Sequence, residues 1–355
     1  MLNDDYLLTL KSLHGREIVH HFDDKLMVSS FFNRVFITSA NEEISFRLPL
    51  AFYFEIFGQF RLIRRALRLD KCSIALTFDR KSLVITYRGT IYHYCMIQNV
   101  LSETLSLTQC NTVLHMGIAS FAPNVIVLGE YGRNKVRDSV PIYLSKDGGR
   151  TWTVPYTFAA GAIRHVHGVY YDKFTNHLWV STGDLDGECY LYEFFSLDFE
   201  NPVIHGDGSQ IWRTVGVFFT SESVVWAMDS EVQNSHLVTL DRVSGEICIG
   251  REFPGPIWYV KTLSDGLYLL QTTVEQGAGV LSKSAHLYIS KDLADWQILG
   301  SFCHDGMPLG YFKNAVIAFS NGEQSKNKFY FSVEAVQGMD GKAYECQVTT
   351  NKKKI

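Results

Sequence analysis

Over most of its length the chain alternates between short apolar runs and clusters of Gly, Asn, Asp and Ser. Short runs of this kind, bounded by turn-forming residues, are typical of β-strands. Clear examples are residues 124–128, 141–144, 177–181, 189–193, 224–228, 267–271 and 329–333. The pattern therefore predicts an all-β protein.

One segment departs from this pattern and shows helical periodicity. Residues 48–69 carry apolar side chains at helical spacing, and basic side chains such as Arg64 and Arg65 lie between them. This spacing predicts an inserted helix or helix pair, with the arginines on a solvated face. A basic patch that binds a partner is the alternative role for these arginines.

The strand patterns recur in units of about four, which indicates a repeat fold. Successive units begin near residues 114, 164, 216, 257 and 308, and two more are expected upstream. In this division, residues 114–121 form the first strand of one unit and residues 212–215 the fourth strand of the next. About seven such units predict a single β-propeller domain over residues 1–355, seven-bladed, with six blades as the alternative.

Residues 145–152 read Ser-Lys-Asp-Gly-Gly-Arg-Thr-Trp and fall between the third and fourth strands of their unit. The aspartate can accept bonds from nearby backbone N–H groups, and the second glycine can adopt a positive φ. Residues 290–296 keep the Ser, Asp and Trp at the same place in another unit. Because the two motifs occur at the same place in their units, they identify which strand of a unit each apolar run forms. The residues of the intact motif that we expect to have a structural role are Ser145, Asp147, Gly149, Thr151 and Trp152.

Composition narrows the class of protein. Hydrophobic residues make up 46% of the chain and charged residues 20%, as in soluble globular proteins. The net charge of −4 argues against a nucleic-acid partner. Seven widely spaced cysteines without a Cys-x-x-Cys pair are expected to be reduced and buried. No signal peptide and no apolar run long enough to span a membrane is visible, so we expect a cytoplasmic protein.

The octapeptide and its degenerate copy resemble the Asp-box, or BNR, repeats of sialidase-like β-propellers. Residues 125–190 are also similar to uncharacterised, glycosyl-hydrolase-like proteins with BNR or YVTN repeats, which are WD40-type propellers. The resemblance implies a propeller fold, and the Asp box itself does not specify an activity. The stretch from Phe46 to Pro49 resembles the arginine motif of sialidases, but it leads into the predicted helices rather than a strand.

Propeller geometry predicts which residues meet. The first strand of each blade starts on the face that carries the loops between second and third strands, and the Asp boxes lie on the opposite face. That first face collects residue types suited to acid–base chemistry on a sugar. The candidate catalytic residues are Glu130, Tyr131, His165, His167 and Asp184. The candidate substrate-binding residues are His115, Arg133, Arg164, Asp229, Trp258 and Glu275.

His165 and His167 are separated by one residue, so on a regular strand both side chains point the same way. Three interpretations stay open. The pair can form half of a divalent-metal site, with Glu130 or Asp184 as oxygen ligand. It can act as a general base and a hydrogen-bond donor to the substrate. It can also be a pair of polar residues that fill the channel wall.

These patterns lead to the hypothesis of a carbohydrate-active propeller that cleaves an oligo- or polysaccharide. A glycoside hydrolase would use two of the carboxylates, and a polysaccharide lyase a His or Tyr base with an Arg. No cofactor is predicted apart from the metal alternative. The alternative function is a non-catalytic propeller that binds a glycan or a protein. Its carboxylates would be paired off, whereas an enzyme would keep titratable groups around one deep pocket.

Overall fold

The computed structural model describes residues 5–108, 110, 113–312 and 314–351. In these residues 28 strands form seven four-stranded antiparallel sheets. The chain is therefore a seven-bladed β-propeller, and the predicted fold class is confirmed. Within the described residues, none of the helices has both the length and the apolar character needed to cross a membrane.

The strands are numbered in chain order, and each blade is an up-and-down sheet. Blade 1 contains β2 (Ile18–Phe22), β3 (Leu26–Phe31), β4 (Arg34–Ser39) and β5 (Glu43–Arg47). Blade 2 contains β6 (Cys72–Leu76), β7 (Ser82–Tyr87), β8 (Thr90–Cys95) and β9 (Val100–Ser106). Blade 3 contains β10 (Ile118–Ala122), β11 (Val125–Gly129), β12 (Val140–Ser145) and β13 (Thr153–Phe158).

The remaining blades follow the same order. Blade 4 contains β14 (His165–Asp172), β15 (His177–Gly183), β16 (Cys189–Phe194) and β17 (Val203–Gly208). Blade 5 contains β18 (Thr214–Phe219), β19 (Ser223–Met228), β20 (Ser235–Asp241) and β21 (Ile247–Phe253). Blade 6 contains β22 (Ile257–Thr262), β23 (Tyr268–Thr272), β24 (Ser284–Ser290) and β25 (Trp296–Cys303). Blade 7 contains β26 (Val316–Phe319), β27 (Phe329–Glu334), β28 (Lys342–Asn351) and β1 (Asp5–Leu13).

Blade 7 joins the two ends of the chain. Strand β1 pairs antiparallel with β28, from Tyr6 opposite Thr350 to Leu13 opposite Ala343. Leu8 and Leu10 pack against the core cluster of blades 6 and 7. The apolar pattern did not predict β1, although its alternating leucines account for its position on that core.

The sheets group into two compact units. The first consists of the chain up to Asp70, residues 231–235 and the chain from Gly250 onward. The second consists of residues 71–230 and 236–249. The assignment of residues 1–355 to a single domain stays a prediction.

The Asp box is the hairpin turn between β12 and β13, as its phase predicted. Oδ1 of Asp147 accepts hydrogen bonds from the hydroxyl of Ser145 at 2.8 Å and from the backbone N–H of Thr151 at 2.9 Å. Oδ2 accepts the hydroxyl of Thr151 at 2.7 Å. Gly149 has a φ of +93°, and a Cβ there would lie 2.4 Å from Cγ2 of Val84. Only glycine meets both requirements.

The degenerate copy forms the equivalent turn between β24 and β25. Oδ1 of Asp292 accepts the backbone N–H groups of Ala294 at 2.9 Å and Asp295 at 2.8 Å. Leu293 takes a positive φ of 66° in this turn. The aspartate therefore closes the turn without the glycine and threonine of the intact box.

Asp147→Ala removes the acceptor that holds the intact turn closed. We expect a loss of about 1–2 kcal/mol in the free energy of unfolding, measured by urea denaturation, because several donors lose one shared partner. Asp138→Ala is the control, since Asp138 is exposed and lies in the loop before the third strand of the same blade. Equal losses in the two variants would contradict a role for the box in stability.

Two strand boundaries were predicted wrongly. The fourth strand of blade 4 is β17 (Val203–Gly208) rather than residues 212–215, because His205, Asp207 and two glycines hide β17 in the apolar pattern. Trp212 is the last residue of a 3-10 helix at Gln210–Trp212, and β18, the first strand of blade 5, begins at Thr214. The predicted strand at residues 114–121 is a 3-10 helix at His115–Gly117 followed by β10.

The predicted insertion is a pair of short helices, α1 (Phe52–Phe57) and α2 (Arg61–Ala66). A third helix, α3 (Leu309–Phe312), precedes β26. The prediction of a solvated arginine face is wrong, because Arg64 and Arg65 are only 4% and 2% exposed. The helix pair faces the opposite way from the prediction. Its arginines pair with carboxylates under the insertion, and its apolar side chains are left exposed to solvent.

Candidate functional site

The two predicted histidines lie at the start of β14, where the strand has a β-bulge. His165 pairs with Gly183 and Val166 with Thr182, but the next pair is Gly168 with Ser181. His167 is therefore the extra residue of the bulge, a feature that redirects a side chain. Both imidazoles are buried, and their ring centroids are 4.9 Å apart.

Asp184 follows the end of β15 and is the centre of the cluster. Its Oδ1 lies 2.9 Å from Nε2 of His167 and 3.3 Å from Nε2 of His165. Its Oδ2 accepts a hydrogen bond from Nη1 of Arg164 at 2.6 Å. Nη2 of Arg213 lies 3.4 Å from Oδ1. Two imidazoles and two guanidinium groups therefore surround one carboxylate.

Burial and charge set the protonation of this cluster. The pKa of His167 is lowered to about 4, chiefly because burial disfavours the charged imidazole; the Asp184 carboxylate opposes this shift, and His165 and Arg213 add to it. Burial alone would raise the pKa of Asp184. Hydrogen bonds and charge interactions with the two histidines outweigh it and hold that pKa below its ordinary value. Around neutral pH the cluster thus contains an ionised Asp184 and a neutral His167.

Tyr131 and Arg133 belong to the same surroundings. The Tyr131 ring lies against the two imidazoles, with centroid distances of 4.1 Å to His165 and 5.9 Å to His167. The carbonyl oxygen of Arg133 accepts a bond from Nε of Arg164 at 3.0 Å, while the Arg133 side chain is exposed. The structure therefore brings together most of the residues predicted from blades 3 and 4.

Glu130 has other partners. Its Oε1 accepts hydrogen bonds from the hydroxyl of Tyr143 at 2.6 Å, and from the backbone and hydroxyl of Thr108 at 3.0 and 2.9 Å. Burial, followed by this bond and the Glu130 charge, raises the pKa of the Tyr143 phenol. The buried Glu130 carboxylate thus connects Thr108 with the third strand of blade 3.

The other predicted binding residues are more dispersed. Asp229 is buried, with Oδ2 3.7 Å from Nε of Arg213. His115 is half-buried in its 3-10 helix. Trp258, half-buried in β22, and Glu275, which follows β23, belong to the first compact unit.

Sequence reasoning missed Arg213 and Gln210. Nε2 of Gln210 donates to the carbonyl oxygen of Asp184 at 2.9 Å, and its Oε1 accepts a bond from Ser230 at 3.0 Å. Arg213 directly precedes β18, just as Arg164 directly precedes β14. This equivalence was hidden because residues 212–215 were assigned to the preceding blade.

The cluster combines two imidazole acceptors, a carboxylate and two guanidinium groups. Such a set can ligate a cation, hold a proton at an imidazole nitrogen or neutralise an anionic group through its arginines. Which of these it performs depends on which polar atoms already have partners inside the protein. Asp184 is engaged on both oxygens, and Arg164 donates both to it and to a carbonyl oxygen.

Comparison with known proteins places the fold but not the family. No family model and no curated protein matches the sequence. The structure is similar to the RRP9 WD40 repeats, with a TM-score of 0.56, 11% identity, and coverage of 98% of this chain and 100% of that one. It is also similar to a chain in the mitotic checkpoint complex, with a TM-score of 0.57, 7% identity, and coverage of 97% and 94%.

A third similar structure is the extracellular domain of the putative one-component system BT4673 from B. thetaiotaomicron. The TM-score is 0.56 at 13% identity, over 95% of this chain and 39% of that one. Identities this low establish a shared propeller fold and nothing about activity. The class of protein defined here is a seven-bladed β-propeller.

Proposed function

We propose that this protein is a non-catalytic propeller that binds a partner protein through its helical insertion. The observation that carries the proposal is the exposed apolar face of α1 and α2. Phe52 is 76% exposed and Phe60 is 63% exposed, and five further large apolar side chains of the insertion are at least half exposed. These are Tyr53, Ile56, Phe57, Leu62 and Leu67. Contiguous exposed apolar surface of this kind marks interaction sites.

The base of the insertion fixes this face in place. Arg64 forms a buried ion pair with Glu17 and donates to the carbonyl oxygen of Gly58 at 2.6 Å. Arg65 pairs with Asp305 and donates to the carbonyl oxygen of Phe312 at 2.6 Å. These contacts bury two basic side chains of α2, while the apolar side chains of the insertion stay exposed.

The rim of the apolar face indicates the chemistry of the partner. Arg47, whose side chain is 59% exposed with Nη1 3.8 Å from Oε2 of Glu55, precedes α1, and the exposed Arg68 follows α2. An apolar centre with a basic rim complements an apolar pocket bordered by carboxylates. The proposed occupant is therefore a partner protein with an acidic-rimmed apolar groove.

The state of the predicted catalytic carboxylates supports a non-catalytic role. Asp184 is enclosed by arginines and histidines, and Oε1 of Glu130 is the acceptor for Tyr143 and Thr108. Glu188, a further carboxylate of blade 4, is also paired, with Oε1 2.5 Å from Nε of Arg137. An acid–nucleophile pair needs carboxylates that can exchange protons with the substrate, and these are committed to internal partners.

The test compares two double variants of similar character. Phe52→Asp/Phe60→Asp disrupts the apolar face, and Phe174→Asp/Phe195→Asp adds the same charges at two exposed phenylalanines of blade 4. A photo-crosslinker at position 52 identifies the partner in source cells, and calorimetry with the two purified proteins gives the affinity. We expect at least about 30-fold weaker binding for the first variant only, because buried aromatic anchors contribute about 2 kcal/mol or more.

Other occupants give different outcomes. A concentration-dependent dimer that the first variant abolishes would show a second copy of this chain on the face. Insertion-dependent binding to anionic lipid vesicles would show a membrane surface. Either result, or a partner affinity equal in both variants, would overturn the proposal. Added salt should weaken partner binding, because Arg47 and Arg68 are exposed.

A carbohydrate role is the second candidate, supported by the grouping of Tyr131, His165, Arg164 and Asp184. Wild type and His167→Ala are assayed on a polysaccharide panel for new reducing ends and for unsaturated products. Turnover by wild type that His167→Ala reduces at least about 100-fold would establish a glycan-cleaving enzyme. Binding of a glycan without turnover would support the glycan-binding alternative.

Two finer assignments belong to this proposal. We assign the chain to the Asp-box propellers, because the turn at Asp147 has the hydrogen bonds expected from that motif. We propose a cytoplasmic location, because the seven cysteines, all within the described residues, form no disulfide bond and four of them are buried. A reducing compartment keeps thiols from forming disulfides.

A further inference from the structure

Three potential ligand atoms converge in blade 4, independently of the helical insertion. Nε2 of His165 and Nε2 of His167 are 2.9 Å apart. Oδ1 of Asp184 lies 2.9 Å from the second nitrogen and 3.3 Å from the first. Among the described residues, these three side chains form a group whose potential ligand atoms all lie within 4.8 Å of one another.

On the far side of each imidazole ring, Nδ1 lies next to a backbone carbonyl oxygen. Nδ1 of His165 lies 2.6 Å from the carbonyl oxygen of Gly132, and Nδ1 of His167 lies 3.3 Å from that of Thr214. In the tautomer in which each Nδ1 donates to its carbonyl oxygen, both Nε2 atoms present lone pairs toward each other and toward Oδ1 of Asp184. Three acceptors at this separation are stabilised by a cation between them or by a proton on Nε2 of His167.

We propose that His165, His167 and Asp184 bind one divalent transition-metal ion, with Zn²⁺ as the reference ion. Imidazole nitrogen and carboxylate oxygen bond to Zn²⁺ at about 2.0–2.2 Å. Donor atoms separated by 2.9 to 3.3 Å can all reach a single ion at that distance. Two histidines and one carboxylate are a recognised ligand set for such ions, with further positions left for water.

The outer contacts match those of metal sites. Ligating histidines usually donate their second N–H to a backbone carbonyl, and Nδ1 of His165 and of His167 each lie within hydrogen-bond distance of one. A ligating carboxylate is usually hydrogen-bonded on its other oxygen, and Arg164 supplies that bond to Oδ2 of Asp184 at 2.6 Å. These contacts hold the three donors in position before an ion binds.

The positive charge of Arg213 opposes binding of a cation at this site. Its Nη2 lies 3.4 Å from Oδ1 of Asp184 and places a positive charge next to the ion. Asp229 offsets part of that charge, with Oδ2 3.7 Å from Nε of Arg213. We therefore expect Arg213→Met to bind the ion more tightly than wild type, because one repulsive charge is removed.

Gly183 keeps the space for the His167 ring. A Cβ at position 183 would lie 2.8 Å from Cε1 and 3.3 Å from Nδ1 of His167. The φ of Gly183 is not in the left-handed region, so the constraint is the close approach and not the backbone. Gly183→Ala should therefore displace the ring and weaken ion binding without removing a ligand.

The ion would link the start of β14 to the chain that follows β15. Binding to the folded state alone raises stability by mass action, by about 2.7 kcal/mol at a free ion concentration 100 times the Kd. The inference does not depend on the proposed protein partner. It can hold if that proposal fails, because its readouts are metal content and stability.

The experiment uses untagged full-length protein purified without chelators. Elemental analysis gives the bound metals, dipicolinate removes them, and calorimetry with ZnCl₂ gives stoichiometry and Kd. The other ions tested are Mn²⁺, Fe²⁺, Co²⁺, Ni²⁺ and Cu²⁺. The ligand variants are His167→Ala and Asp184→Asn, and the control is His177→Ala, whose imidazole lies on β15 and pairs with Glu193 at 2.7 Å.

We expect one Zn²⁺ per chain, a higher Tm with the ion, and at least about 100-fold weaker binding in both ligand variants. His177→Ala should bind like wild type. If a ligand variant does not fold, Gly183→Ala and Arg213→Met replace it, with weaker and tighter binding expected. Folded wild type that binds none of the six ions stoichiometrically would overturn the inference and assign a proton to Nε2 of His167. Equal binding by wild type and a folded ligand variant would also overturn it.

Discussion

Arg64→Ala is expected to lower the free energy of unfolding by about 3–5 kcal/mol. Arg64 is 4% exposed and forms an ion pair with Glu17, which is equally buried. Oε2 of Glu17 also accepts the backbone N–H of Phe32 at 3.0 Å, so the carboxylate cannot leave its position freely. Removal of the arginine takes away the nearer cation of the buried Glu17 carboxylate and leaves only Arg61, whose Nη1 lies 3.6 Å from Oε1. Loss of a buried partner is far more costly than loss of an exposed pair.

The control for this variant lies in the same region of the chain. Arg47 is exposed, and its Nη1 is 3.8 Å from Oε2 of Glu55. Arg47→Ala should therefore cost no more than about 1 kcal/mol. Urea unfolding of both variants measures the difference. Similar midpoints for the two would mean that the Arg64 pair does not anchor the insertion, and the proposed docking face would lose its support.

Arg64→Ala should also weaken partner binding if the insertion is the docking face. The substitution removes no exposed aromatic side chain, so any loss of affinity reports the orientation of α2. Binding at a temperature where the variant is fully folded separates this effect from global unfolding. An unchanged affinity would show that the buried arginine contributes to stability alone.

The second large effect is expected for Trp226→Ala, with a loss of about 3–5 kcal/mol. Trp226 is fully buried, stacks on Trp212 at a centroid distance of 4.7 Å, and donates from Nε1 to the carbonyl oxygen of Ile211 at 2.7 Å. Truncation of a buried aromatic side chain costs both its burial and the cavity that it leaves. Trp226→Phe should cost less, because it keeps most of the ring and loses the hydrogen bond.

The stacked tryptophans also lie next to residues that position the cluster around Asp184. Trp212 and Ile211 belong to the 3-10 helix that ends one residue before Arg213, and Gln210 of the same helix holds the backbone of Asp184. Val243→Ala, at a 96% exposed position of blade 5, is the control and should change stability by no more than about 0.5 kcal/mol. If Trp226→Ala matched this control, the stacked pair would not be part of the core.

The fold was predictable because its signals are local. The turn around Asp147 and the copy at Asp292 occur at the same place in their blades, and that agreement assigned the strands of blades 3 and 6. Some strands escaped detection, for different reasons. β17 carries polar residues and glycines, and β1 pairs with a strand more than 300 residues away, which no local pattern reveals.

The candidate site was predictable in part. The one-residue spacing of His165 and His167, and the place of Asp184 after the next strand, were enough to bring these three residues together in the prediction. Arg213 was missed because a single error in blade phase moved it to the wrong strand. The bulge at His167 also has no sequence signal, since any residue with a suitable neighbour can be the extra one.

Local signals along the chain predict the seven repeated sheets, the Asp-box turn and the presence of a helical insertion, because hydrophobic period and turn chemistry act between neighbours in the chain. Contacts between distant residues set which way the insertion faces and which atoms meet at Asp184. Arg64 turns inward because Glu17, 47 residues away, offers a buried carboxylate. The two imidazoles face one carboxylate because a bulge and Gly183 leave room for them. Long-range charge pairing and close packing set these features, and the local hydrophobic pattern predicts neither of them.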